Sequence, residues 1–236
     1  MELKGKHVLI TGAGKRVARV IAERLLSEGV RLSAHYFQSR ASVLELVGPN
    51  VFPVQADLRK VADIRRAASQ AMDHFGPVDI LINSASNFYP TPVLETTEAQ
   101  WEDLMSVNLK GPFFLSQAVA PKMLEKGGVI INIADVNGTR PMKTFTPYVT
   151  AKAGLLMLTK NLAKEWAPRV RVNAISPGPV LQPENYTEAQ IQRSADRTLL
   201  KRWGAPEDIA NATVFLITND YMTGYDLKVD GGRSLV

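Results

Sequence analysis

Tyr148 and Lys152 stand four residues apart, and Asp135 precedes the tyrosine by thirteen. On a helix, residues at i and i+4 share one face, so the Lys152 ammonium is expected beside the Tyr148 phenol. A cation there favours phenolate and draws a phenol pKa of about 10 toward working pH. A tyrosine tuned in this way can give and take protons in redox chemistry. Tyr-x-x-x-Lys arises readily by chance, so its weight depends on the elements that would surround it.

Those elements alternate along the whole chain. Short β-branched runs fall at 7–11, 30–36, 50–55, 78–82, 128–133 and 169–175, with a last one near 225–229. Stretches of helical periodicity lie between them at 16–28, 60–75, 98–124, 148–167 and 206–218. Runs such as Val129-Ile130-Ile131-Asn132-Ile133 are continuously apolar, the pattern of a parallel sheet buried on both faces. The expectation is one α/β domain over 1–236, a doubly wound parallel sheet of about seven strands with helices on both faces. The irregular stretch at about 176–205, holding a short helix near 187–199, is a candidate substrate loop.

Composition narrows the chemistry. The chain has 236 residues, 45% hydrophobic and 22% charged, enough for one sizeable core. It has no cysteine, which excludes disulfides, thiolate metal sites and a cysteine nucleophile, and fits a cytoplasmic protein. His7, His35 and His74 show no metal-ligand spacing, and no metal site is expected. No apolar run reaches the length of a membrane span, and the N-terminal residues lack a signal-peptide pattern. N-x-T matches at Asn137, Asn185 and Asn211 are read as chance. The net charge of +5 is spread out, without the aromatic-interleaved patch of a nucleic-acid binder. Arg193, Arg197 and Lys201 are spaced to line one helical face, most simply a solvated one.

A nucleotide site is legible at the first turn. Thr11-Gly12-Ala13-Gly14-Lys15-Arg16-Val17 follows the first strand and opens the first helix, where a pyrophosphate can sit on free backbone N–H groups. After the second strand, Ala34-His35-Tyr36-Phe37-Gln38-Ser39-Arg40 holds no acid. An acid there would repel a 2′-phosphate, whereas His35, Ser39, Arg40 and Lys15 could bind one, so NADPH is expected over NADH. Asp57-Leu58 and Asn83-Ser84-Ala85-Ser86 end the third and fourth strands and line the same crevice. Asp57 could accept from an adenine amino group or cap a helix.

In this order the residues closely resemble the short-chain dehydrogenase/reductase family. The resemblance spans essentially the whole chain and rests on Thr11-Gly12, Asn83-Ser84-Ala85-Ser86, Asn108, Tyr148-x-x-x-Lys152, Pro177-Gly178 and Asp230-Gly231-Gly232. It implies hydride transfer from a nicotinamide and often a homotetramer. It also implies cofactor contacts at Gly12, Lys15, Arg16, Val17, His35, Tyr36, Ser39, Arg40, Asp57, Leu58, Asn83 to Ser86, Tyr148, Lys152, Pro177 and Gly178. Most members carry glycine where Arg16 and Ala18 stand, and serine where Asp135 stands. Both departures resemble the pteridine reductase branch, as does the stretch Asn83 to Pro92. That branch usually has arginine in place of Gln38.

Aspartate alters the expected substrate. A serine would donate to a carbonyl becoming an alkoxide, whereas an ionised carboxylate only accepts and would repel that charge. Aspartate suits a C=N bond whose nitrogen must receive a proton. The expected roles are Tyr148 with Asp135 as proton source and Lys152 as cation and ribose ligand. By resemblance, Asn108 orders a water toward Lys152. Arg16, Ser86 and Phe88 would join Asp135 and Tyr148 around a flat pterin or dihydrofolate-type ring. Each residue has a plainer alternative: a turn cap for Asp135, core packing for Phe88 and Trp203, a surface position for Arg16, and a backbone partner for Asn108. Ketone or 3-oxoacyl-thioester reduction is the competing activity, and a nucleotide-binding regulator without turnover is the non-enzymatic one.

Overall fold

The computed structural model describes residues 1–46, 48–182 and 186–236. Seven strands form one parallel sheet in the order β3-β2-β1-β4-β5-β6-β7. They are β1 (His7–Ile10), β2 (Arg31–Tyr36), β3 (Val51–Gln55), β4 (Ile80–Asn83), β5 (Gly128–Ile133), β6 (Val170–Pro177) and β7 (Asp226–Val229). β1, β4 and β5 are buried along their entire length, as their apolar runs require. Pro53 lies in β3, where an edge position tolerates its missing N–H.

Helices cover both faces. α1 (Arg16–Ser27) and α8 (Pro206–Thr218) share a core with Val8, Ile10, Ile82 and Ile131. On the other face α3 (Val61–Phe75), α5 (Gly111–Lys126) and α6 (Thr146–Trp166) pack on Leu9, Leu81, Ile130 and Val172. Side chains alternate across a strand, so each strand feeds both cores. Strand order runs outward to opposite edges from the β1–β4 boundary, and the crevice for a ligand opens above it.

Three elements differ from the sequence reading. A short α2 (Arg40–Leu44) follows β2. The periodicity at 98–124 is not one helix: α4 (Glu98–Met105) and α5 are joined by a π-helical turn, Ser106–Lys110. α7 spans Glu188–Ala195 and stops before Arg197, so Arg193, Arg197 and Lys201 do not line one helical face. Instead the Lys201 ammonium folds back on the Asp196 carbonyl, and its backbone has φ 55°. Residues 183–185 of the candidate substrate loop, with the N-x-T match at Asn185, lie outside the described residues. Among the described residues no helix is long and apolar enough to cross a membrane.

Candidate active site

The chain leaves β5 at Ile133 and turns at Asp135 into a 3-10 turn, Val136–Gly138. Asp135 Oδ1 accepts from the backbone N–H of Asn137 at 2.7 Å and from its side-chain amide at 2.8 Å. Asp135 Oδ2 accepts the Tyr148 hydroxyl at 2.7 Å. The carboxylate is therefore a turn cap through one oxygen and the partner of the phenol through the other. The two readings of this residue are compatible.

Lys152 sits one turn after Tyr148 on α6, and both are buried. Its ammonium does not reach the hydroxyl. It donates to the Ile133 carbonyl at 2.9 Å and lies 5.7 Å from the centre of the tyrosine ring. Burial lowers the Lys152 pKa to about 8, against an opposing pull from Asp135. Tyr148 is shifted the other way from the sequence expectation. Burial and then the charge and hydrogen bond of Asp135 hold its pKa well above the ordinary phenol value. The Ser86 hydroxyl and the Arg16 charge pull weakly against them. The carboxylate is the charge nearest the phenolic oxygen, so phenolate is disfavoured and Tyr148 is a neutral donor.

Asn108 lies in the π turn. Its amide donates to the carbonyls of Leu104 at 2.9 Å and Asn87 at 3.0 Å, and its Oδ1 accepts from Ser86 Oγ at 2.6 Å. It thus satisfies backbone, the plainer of its two readings, and fastens the segment after β4 to the helix. π turns of this kind recur at functional sites.

The phosphate turn has the backbone a dinucleotide needs. Gly12 has φ 73°, and a Cβ there would stand 3.2 Å from the Ala85 backbone. Arg16 has φ 56°, uncommon for a residue with a side chain, and it is exposed. Thr11 Oγ1 accepts from the N–H groups of Ser84 at 2.9 Å and Ala85 at 3.0 Å, tying the β1 turn to the β4 end. α1 carries no side-chain cap at Lys15, leaving its first N–H groups for an anion. Ser42 of α2 would lie 2.9 Å from a Cβ on Gly14, so this turn packs on α2 and brings exposed Lys15 and Arg40 to one rim. These features fit a dinucleotide phosphate.

His35 needs correction as a cofactor cation, and the side chains of Asn83 and Asp57 have partners within the protein. His35 is 4% exposed; its Nδ1 accepts from the Gly12 N–H at 3.2 Å and its Nε2 donates to the Ala56 carbonyl at 3.1 Å. Burial lowers its pKa to about 4, so it is a neutral strut between strand ends and no cation for a 2′-phosphate. The Asn83 side chain points into the core, donating to Asn132 Oδ1 at 2.8 Å and Ser116 Oγ at 3.3 Å. The Asp57 carboxylate is gripped by Arg59 through Nε at 2.8 Å and Nη2 at 3.0 Å. That hydrogen-bonded guanidinium holds the Asp57 carboxyl below its usual range. Gly178 donates its N–H to the Val229 carbonyl at 2.9 Å, and a Cβ there would come within 2.6 Å of Asp230 Cα.

Phe88 is 52% exposed, which excludes core packing. Its ring stacks on Phe145 at 4.5 Å and 14°, and meets Tyr148 edge-on at 4.8 Å. Phe145 was not anticipated. Its one signal was an aromatic side chain one helical turn before Tyr148. A bridge between Thr91 and Phe145 joins the two backbones beside the stack. Trp203 donates to the Ile191 carbonyl and packs on α7, as its plainer reading has it. Among the described residues no cluster could hold a metal.

Residues 12–234 match the family model described as enoyl-(acyl carrier protein) reductase. The chain belongs to the short-chain dehydrogenase/reductase family. It is an NAD(P)-dependent oxidoreductase of that family. It is 34% identical to a 3-oxoacyl-[acyl-carrier-protein] reductase FabG of Staphylococcus epidermidis, over 96% of this chain and 98% of that one. It is 35% identical to 3beta-hydroxysteroid dehydrogenase 1 of Eggerthella lenta, over 99% and 95%. Among solved structures it is similar to a blue fluorescent protein from a metagenomic library in complex with NADPH. That match has TM-score 0.92 and 31% identity, over 99% of both chains.

Proposed function

We propose that this short-chain reductase uses NADPH to reduce a C=N bond in a pterin or dihydrofolate-type ring. The observation that carries the proposal is the 2.7 Å hydrogen bond between Asp135 Oδ2 and the Tyr148 hydroxyl. A carboxylate at that point repels a developing alkoxide but accepts from ring N–H and amino groups. The reduced nicotinamide supplies hydride to the ring carbon. Tyr148 supplies the proton to the ring nitrogen, and the Asp135 carboxylate orients the phenol and relays a solvent proton back to it. Lys152 holds the cofactor ribose, and Phe88 with Phe145 forms an aromatic wall for one face of a planar ring. Arg16 and Ser86 complete the pocket. NADPH over NADH is supported by exposed Lys15 and Arg40 at the rim, and by the NADPH-bound relative. A homotetramer in the cytoplasm is the inferred state. The exposed Phe113 of α5 and Met157 of α6 are apolar surface that an interface would cover.

A second reading is reduction of ketones or 3-oxoacyl thioesters, favoured by the 3-oxoacyl reductase and the hydroxysteroid dehydrogenase named above. Consumption of NADPH with dihydrobiopterin, dihydrofolate and a 3-oxoacyl thioester, side by side, separates the two. The expected result is turnover of a pterin or dihydrofolate that falls about 100-fold in Asp135→Ser. Wild-type turnover of the thioester alone, or an Asp135→Ser variant with full pterin activity, sinks the proposal. Cofactor binding without any turnover would point to a regulatory protein.

A further inference from the structure

Phe88 is flanked by two residues that hold the same carboxylate oxygen. Asn87 donates its side-chain amide to Asp103 Oδ2 at 2.8 Å, and Tyr89 donates its hydroxyl to the same atom at 2.9 Å. Asp103 belongs to α4, in the turn of helix that runs into the π turn at Ser106–Lys110. Its other oxygen, Oδ1, faces Arg59 Nη1 at 3.3 Å. Arg59 is itself fixed by both oxygens of Asp57 and stands 5.0 Å from the Phe37 ring centre.

An exposed aromatic ring in an irregular segment needs something to hold its backbone, because rotamer and loop freedom otherwise reduce its grip. Two charge-assisted hydrogen bonds, one on each side of the ring, supply that restraint. Burial and the Asp103 hydrogen bond push the Tyr89 pKa to about 12, so its hydroxyl remains a donor throughout the working range.

We propose that Asp103 is a positioning residue: by holding Asn87 and Tyr89 it sets the Phe88 ring against the acceptor, with Arg59 as the strut that keeps the carboxylate in place. The inference rests on the reading that Phe88 faces the acceptor. It is separable from the identity of that acceptor, because the test uses whichever of the three compounds above is reduced.

The test is a double-mutant cycle of Asp103→Ala and Phe88→Ala, with Tyr89→Phe as a second route to the same restraint. Asp103→Ala is expected to raise KM for the acceptor about tenfold, with kcat within about threefold. Tyr89→Phe should raise KM in the same direction by a smaller factor. Asp103→Asn, which keeps an oxygen for Asn87 and Tyr89, should recover most of the loss. NADPH affinity, read from cofactor fluorescence, should stay within about twofold. Adding Asp103→Ala to Phe88→Ala should cost nothing further, because the ring being positioned is gone. Additive effects in the cycle overturn the proposal. So does an Asp103→Ala or Tyr89→Phe enzyme that melts lower with KM unchanged. Should pterins fail while the cycle on the thioester remains non-additive, the assignment of substrate falls and this one stands.

Discussion

Asp135 gives Tyr148 an internal proton acceptor, and that alters which group titrates in the working range. The phenol is held well above its ordinary pKa, so it does not ionise first. Lys152, lowered to about 8 by burial, does. Below that pH the lysine is charged beside the tyrosine ring; above it the cation is lost. kcat/KM reports groups of the free enzyme, so its profile should fall on the alkaline side with an apparent pKa near 8. Lys152→Met should abolish that limb together with most of the turnover. The Asp135–Tyr148 pair was legible in the sequence because a strand end and a helix start fix their separation. The position of the lysine head was not, since i+4 spacing specifies a shared face and leaves open the carbonyl of Ile133 as a better partner. His35 misled for a related reason. A histidine next to a nucleotide turn looks cationic until the fold buries it between two backbone groups. Asp103 had no local pattern, since Asn87, Tyr89 and Arg59 come from different segments of the chain.

The strands were easy to read because burial on both faces leaves them mostly apolar. Buried polar pairs interrupt them, His7 of β1 with Ser33 of β2 and Asn83 of β4 with Asn132 of β5. Asn83 of β4 donates to Asn132 of β5, which in turn donates to Thr159 of α6 at 2.9 Å. Asn132→Ala removes the acceptor for the Asn83 amide and leaves a buried donor short of a partner. The expected cost is about 2 kcal/mol, a loss of roughly 4–8 °C in Tm by scanning fluorimetry, with KM values unchanged. The π turn was not legible. Helical periodicity continues through Ser106–Lys110, and only the capture of Leu104 and Asn87 carbonyls by the Asn108 amide marks it. The end of α7 at Ala195 was hidden similarly, because the basic residues beyond it keep a four-residue spacing without a helix.

Over the whole molecule the buried histidines contribute to how stability responds to acid. His35 has a folded pKa of about 4 against the ordinary 6.5, so the unfolded chain binds the proton more readily. Stability is therefore fully present above pH 6.5 and is lost as the pH falls through about 4. The shift amounts to roughly 3 kcal/mol at most. His7, also buried and lowered, acts in the same direction. Tm measured across this window should fall steeply for the native chain and less so for His35→Gln, whose amide does not titrate.

The sheet has a further consequence. Every neighbouring pair of strands is parallel, so among the described residues no hairpin exists to start it. Each pairing must wait until an intervening stretch of chain has collapsed into a crossover helix, which places this protein among slow folders. Until then segments such as Val129–Ile133, rich in β-branched residues and without charge, are bare to other nascent copies. The feature that shields the strands in the finished enzyme makes them the chain's chief hazard during synthesis.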